Sequence, residues 1–195
     1  MIRLNISRAV LLAALVIAAP ASALEYTRVI TDKSNITFTS RQMGVPVAGR
    51  FSTFTASLAF DPAKPEAAKI QISVDLGSID AGSSEANDEV IGKPWFNTRM
   101  FPVATFASQS VKSIGAGKFE LTGTLGIKGK SQPIKAVFVQ KPDETNAAFD
   151  GSFTIKRIDF GIGEGEWADV GTVANEVQVN FHIVATASAA AAKSR

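Results

Sequence analysis

The chain reads as an all-β protein of antiparallel strands, and three observations carry that reading. Hydrophobicity alternates with period two over most of the chain, short Gly, Pro and Asp turns interrupt the runs, and each run is apolar on one face only. A parallel sheet with crossover helices would show near-continuous apolar strands instead. A sheet with one apolar face must stack on a second sheet or close on itself, so a sandwich and a barrel both satisfy the pattern.

The first element along the chain is a leader. Arg3 and Arg8 form a basic start, Ala9 to Ala19 is an unbroken apolar run, and Ala21-Ser22-Ala23 supplies the small residues a signal peptidase needs. The run falls short of the roughly 20 residues of a membrane span, and no cysteine follows it, so export with cleavage after Ala23 is expected. The organisation expected is a signal peptide over 1–23, one domain over 24–187 and an Ala-rich disordered tail over 188–195. Removing 23 of the 195 residues leaves 172, and 20 basic residues become 18, matching 18 acidic ones. A neutral mature chain carries no footprint for nucleic acid or an anionic surface. It has no cysteine, so an exported chain of this kind must be held by its core.

The strands follow. EYTRVIT opens the mature chain, then Ile36 and Phe38 share a face, as do Phe54, Ala56, Leu58 and Phe60. Ile70, Ile72, Val74 and Leu76 alternate with polar residues, and so do Phe119, Leu121, Leu125 and Ile127. ATFASQSV, PIKAVFVQ, AFDGSFTI and the run from Val177 to Ile183 complete about nine strand candidates. Alternation stops over residues 81–102, where a short helix from Ser84 is expected and Pro94 ends it.

Most chemical motifs fail on spacing. GTLGIKGKS ends like a phosphate-binding loop, but Gly123 is one place too early and strand-like residues with Pro133 follow. A hairpin turn fits better. Gly161, Gly163 and Gly165 are spaced G-x-G-x-G, with Glu164 and Glu166 beside them, and a dinucleotide would be repelled there. They suit a sharp bend at a strand end. His182, the one histidine, falls on a polar strand face, where a structural role is expected. One histidine without cysteine builds no ordinary zinc site, and no serine elbow is present, so neither catalytic residues nor a metal or other cofactor are expected. Asp75, Asp80, Glu85, Asp88 and Glu89 cluster in sequence as surface turns do. If the strand holding Phe153 and Ile155 stays regular, Arg157 and Asp159 point inward with them, and buried charges need partners.

Four blocks in order resemble the YceI-like family of polyisoprenoid-binding proteins: FTSRQMGVPVAGRFSTFTASLAFDP, EANDEVIGKPWFNTRMFPVATFAS, LTGTLGIKGKSQPIKAVF and RIDFGIGEGEW. The resemblance covers nearly the whole mature chain. It implies a single eight-stranded antiparallel β-barrel, elongated and lipocalin-like, with a helical insertion around 84–98. It also implies a periplasmic location, a long apolar cavity for a polyprenyl or other long-chain, fatty-acid-like amphiphile, and no enzymatic activity. Many relatives have Arg-His-Met-Gly where this chain has Arg41-Gln42-Met43-Gly44, and the central helix also departs at Asn87-Asp88-Glu89-Val90. The Trp-Phe pair resembles the branch found beside membrane b-type cytochromes, which implies a quinone-like ligand and such a cytochrome as partner.

On this reading the cavity wall is expected from Phe38, Phe54, Leu58, Phe60, Ile72, Phe106, Leu125, Phe153 and Phe160. Met43, Trp95 and Phe96 flank non-alternating segments and are candidates for a rim or lid. Arg41, Gln42, Asn87 and Arg157 are candidates for the ligand head, with Arg157 alternatively closing one barrel end through Asp159 or backbone carbonyls. A barrel filled by its own side chains, and an enzyme acting on a bound lipid, are the competing readings. Monomer and homodimer both fit.

Overall fold

The alternating runs form eleven strands of one antiparallel sheet in the computed structural model, which describes residues 24–189. In chain order they are β1 (Leu24–Val29), β2 (Asn35–Gln42), β3 (Val45–Phe51), β4 (Phe54–Ala59), β5 (Lys69–Asp75) and β6 (Ile79–Asp80). The helix α1 (Ser84–Val90) precedes β7 (Val103–Gly115), β8 (Lys118–Ile127), β9 (Lys130–Asp143), β10 (Asn146–Lys156) and β11 (Glu176–Ala189). The order across the sheet is β4-β5-β7-β8-β9-β10-β11-β2-β3-β6, with β1 also on β11.

Eleven strands still make eight passes around a barrel. β1 and β2 follow one another along the same edge of β11, separated by a 3-10 turn at Thr31–Lys33. β3 runs into β4 through Ser52 and Thr53, and β5 runs into β6 through a 3-10 turn at Leu76–Ser78. Asp75 caps that turn by accepting the Gly77 N–H at 2.9 Å. β2 and β3 pair over seven positions, from Ile36–Phe51 to Gln42–Val45. Beyond them, the only backbone pairing between β1 and the β4 pass among the described residues is Tyr26 with Phe60, at 2.8 and 3.1 Å. A slot without backbone hydrogen bonds therefore separates that bridge from the β2–β3 ladder.

The two barrel ends differ. At one, Tyr26, Phe60, Phe119, Phe138 and Phe149 are all 5% exposed or less. Phe60 meets Phe119 and Phe149 edge-on at 5.0 and 5.4 Å, geometry that aromatic quadrupoles favour. The other end is covered by α1, the turns through residue 101 and the segment 157–175. Ser83 starts α1 as an N-cap, accepting the Ala86 N–H at 3.2 Å.

Several expectations need correction. The insertion is helical only over Ser84–Val90, and residues 91–101 are turns, with Phe96 N–H donating to Val90 and Phe101 N–H to Asn97. β10 ends at Lys156 and a 3-10 turn follows at Arg157–Phe160, so strand parity no longer applies and Asp159 is exposed. Ser188 and Ala189, expected in the tail, continue β11 and pair with Glu25 and Leu24. The expected leader (1–23) and the rest of the tail lie outside the described residues. The Lys128-Gly129 turn joins β8 to β9 with φ of 49° and 74°, the paired positive values of a tight hairpin, as expected for the Gly-Lys-Ser stretch.

Candidate functional site: an apolar barrel cavity

A cavity of about 580 Å³ runs from the aromatic end, at Phe60, Phe138 and Phe149, toward α1. Its size lies within the range of about 300–1,000 Å³ typical of small-ligand sites. Inward-facing residues of the strands supply an almost wholly apolar wall, including Ile36, Phe51, Ile70, Val74, Leu121 and Val179. Glycine widens the lumen at one recurrent place. Gly49 sits opposite Phe38 on the neighbouring strand, where any Cβ would collide with the Phe38 ring, so the ring can lie against the sheet. Gly151 does the same beneath Phe181.

Polar groups gather at the α1 end. Ser40 and Gln42 line the cavity from β2, and Glu85 and Glu89 line it from α1. Four residues apart on a helix, the two glutamates share a face. The Glu85 carboxyl is held below the usual carboxylate value by its own backbone N–H, then by the Ser83 hydroxyl.

Arg157 is the buried charge at this end, 1% exposed. Its Nε donates to Ala174 O (3.1 Å), Nη1 to Ile162 O and Gly163 O (2.9 and 3.0 Å), and Nη2 to Trp167 O and Val173 O (both 2.7 Å). All five side-chain N–H groups of an arginine are thereby used on backbone carbonyls. Its guanidinium carbon also lies 5.8 Å from the centre of the Trp95 ring. Burial pushes the guanidinium pKa down and the charge of Asp169 pushes it back, yet an arginine stays protonated at physiological pH. Gly163 has φ of 75°, and a Cβ there would strike Arg157 Nη1. The glycine-rich bend therefore wraps a guanidinium.

The family model for the YceI-like domain matches residues 28–185. The chain belongs to the YceI-like family. A UPF0312 protein of Azotobacter vinelandii is 34% identical over 137 residues, covering 67% of this chain and 69% of that one. A UPF0312 protein of Shewanella oneidensis is 33% identical over 155 residues, covering 76% and 79%. Burkholderia cenocepacia BcnA superposes with a TM-score of 0.79 at 41% identity, covering 81% of this chain and 99% of that one. A polyisoprenoid binding domain from Saccharophagus degradans, implicated in plant cell wall breakdown, superposes at 0.64 with 19% identity over 85% and 99%, which shows the shared fold alone.

In this YceI-like barrel, Phe38, Leu58, Phe60, Ile72, Phe106, Leu125 and Phe153 line the cavity, as do Trp95, Phe96, Gln42 and Arg157. Phe54 and Phe160 do not. Both are buried, but each packs into a hydrophobic cluster rather than facing the lumen. Met43 is not in the wall; it holds the tip of the β2–β3 hairpin with φ of 49° and is 75% exposed. Arg41 is exposed and donates to Gly44 O at 3.1 Å, away from the lumen. Asn87 is occupied in accepting the Ala81 N–H at 2.7 Å, which ties α1 to the end of β6. Arg157 takes the backbone-bonded form of the plug, and Asp159 has no part in it. Sequence reasoning missed Trp167, which sits in a non-alternating segment, and did not use the four-residue spacing of Glu85 and Glu89. His182 meets Asp150 across the β10–β11 ladder on the sheet's outer face, beside Lys141.

Proposed function

We propose that the protein binds a polyisoprenoid or similar long-chain amphiphile in the barrel and carries or sequesters it in the periplasm, without transforming it. The observation that carries this reading is the cavity of about 580 Å³ with an apolar wall and polar residues at one end. That arrangement suits a molecule with a long apolar tail and a small head. Each buried CH2 of a tail contributes about 0.8 kcal/mol as an upper estimate, so a few isoprene units offset the cost of association. Binding rather than catalysis is supported by the lining itself. Its only carboxylates are exposed, and its one cation is fully committed to carbonyls. Family membership supports the ligand class, and the Saccharophagus degradans neighbour bears the same description for that protein. The leader supports export; the quinone-like ligand and the cytochrome partner rest on the family resemblance.

Native mass spectrometry of the purified protein tests the reading, together with uptake of a fluorescent prenyl probe. A co-purified lipid and saturable uptake are expected, with uptake lost in Ile72→Trp, where the larger ring fills the lumen. No lipid and no uptake would sink the carrier reading.

A further inference from the structure

The cavity meets solvent between the β2–β3 hairpin and α1, where Gln42, Glu85 and Glu89 both line it and are exposed. The two lips of that mouth differ in chemistry. On β3, Phe51 and Val47 line the lumen, and Val45, two places further along the same face, is 62% exposed. The apolar wall therefore runs past the rim into water. Met43, at the hairpin tip, is 75% exposed. Val170, 54% exposed, stands on the adjoining loop, which is tied to the tip by Met43 N–H donating to Thr172 O at 2.8 Å. The same loop returns to the lumen at Val173, which lines the cavity and bridges to Gln42. Three apolar side chains thus stand in water on adjacent stretches of chain, fixed by backbone bonds beside the mouth, and a grouping of that kind marks an interaction surface.

Charge narrows what covers this lip. Residues 42–49 and 170–173 contain no charged side chain. The charges that flank them, Arg41 and Asp169, are of opposite sign, and the Asp169 carboxylate is turned onto the Gly171 and Thr172 N–H groups. The opposite lip, α1, carries Glu85 and Glu89. An anionic surface would be held off by those carboxylates, whereas a surface of no net charge meets a hairpin lip with no charge to desolvate. Apolar tips are stabilised when they sink into the boundary between lipid head groups and chains, in proportion to the apolar area covered. We propose that the β2–β3 hairpin tip and the 170–173 loop form a docking lip for a zwitterionic lipid bilayer. Docking there sets the apolar wall of the lumen against the membrane, so that a lipid tail passes from one to the other without crossing water. The surface is independent of what the cavity holds; only its use in cargo transfer rests on the carrier reading above.

The test uses purified protein beginning at Leu24, the first residue of β1, with phosphatidylcholine vesicles and, for comparison, vesicles of equal parts phosphatidylcholine and phosphatidylglycerol. Co-flotation with the phosphatidylcholine vesicles is expected, undiminished by high salt and no stronger on the anionic ones. Combining Met43→Ser, Val45→Ser and Val170→Ser is expected to lower the partition coefficient at least about tenfold, with the melting temperature and the uptake of a dispersed fluorescent prenyl probe unchanged. The chain has no cysteine, so Val45→Cys accepts a single environment-sensitive fluorophore. Its emission is expected to shift to the blue when vesicles are added, whereas the same label at Ile114→Cys, exposed at the aromatic end of the barrel, is expected to stay unchanged. No flotation with phosphatidylcholine, flotation indifferent to the triple substitution, or a preference for the anionic vesicles overturns the docking lip. So does a dimer in sedimentation equilibrium that the triple substitution dissociates, since a second copy would then cover the lip. Flotation without any uptake of the prenyl probe sinks the carrier reading and leaves the docking lip standing.

Discussion

Arg157 shows how one side chain can be costly and indispensable together. Its charge is almost fully buried with no carboxylate in contact, and five carbonyls compensate it. Arg157→Met would leave those carbonyls without donors, and a loss of about 2–4 kcal/mol in unfolding free energy is expected, read from a lowered denaturant midpoint. Arg157→Lys should recover only part of it, because an ammonium lacks the planar five-donor fork. Asp150 offers a contrasting case on the outer face. Burial pushes its carboxyl up, but hydrogen bonds with His182 and Lys141, and their charges, outweigh this and hold it below the usual value. A carboxylate depressed in the folded state contributes stability above its unfolded pKa and loses it as pH falls through the folded one. Asp150→Asn is thus expected to flatten the acid side of the stability profile below about pH 4, by roughly 0.5 kcal/mol for so exposed a cluster. Urea titrations at pH 3 and pH 6 would measure the difference.

The segment 157–175 behaves as one device. Gly163 has the left-handed backbone that glycine tolerates, and it leaves room for the guanidinium that holds Ile162, Gly163, Trp167, Val173 and Ala174 together. Gly163→Ala is expected to destabilise by about 1–3 kcal/mol through backbone strain and the collision. Because both changes break the same network, Gly163→Ala combined with Arg157→Met should cost clearly less than the two separately, a coupling that a double-mutant cycle reads directly. The alternation that reveals a strand stops being informative where the strand stops, which is why Arg157 and Asp159 look equivalent in sequence and lie apart in space. Parity also reports which side of the sheet a ring takes, not whether it meets the lumen or another side chain. That distinction separates Phe38 and Phe106, in the wall, from Phe54, in the packing, while Phe160 lies in the 3-10 turn past β10, where parity does not reach. Trp167 carries no periodic signal at all, since it sits in a 3-10 turn, Gly165–Ala168, held through its own carbonyl by Arg157.

Across the molecule, the period-two pattern and its turn residues made the closed antiparallel sheet legible, down to the hairpin at Lys128-Gly129. The division into eleven strands was legible only in part: EYTRVIT and the run from Ile36 read as separate strands, whereas Val45–Phe51, interrupted by Pro46 and Gly49, and the two-residue Ile79–Asp80 after the Leu76–Ser78 turn carry no clear period. The resulting slot between β1 and β4 is closed at one end by the β2–β3 ladder and at the other by Tyr26 and Phe60. Amides of β4 that point away from β5 have no backbone acceptor on that side, and they are expected to exchange hydrogen faster than those of β8, which is paired on both edges. Mass-resolved exchange on the intact barrel would test this.

The same slot bears on what the lumen can measure. Widening the barrel across a paired seam means parting a ladder of backbone hydrogen bonds, whereas here the wall can spread by shifting side chains while the bridge and the hairpin hold. A vessel with an elastic side is a poor ruler, since a tail one unit longer costs it little. Discrimination between cargoes of such a barrel falls to its rigid end, where the polar groups are fixed.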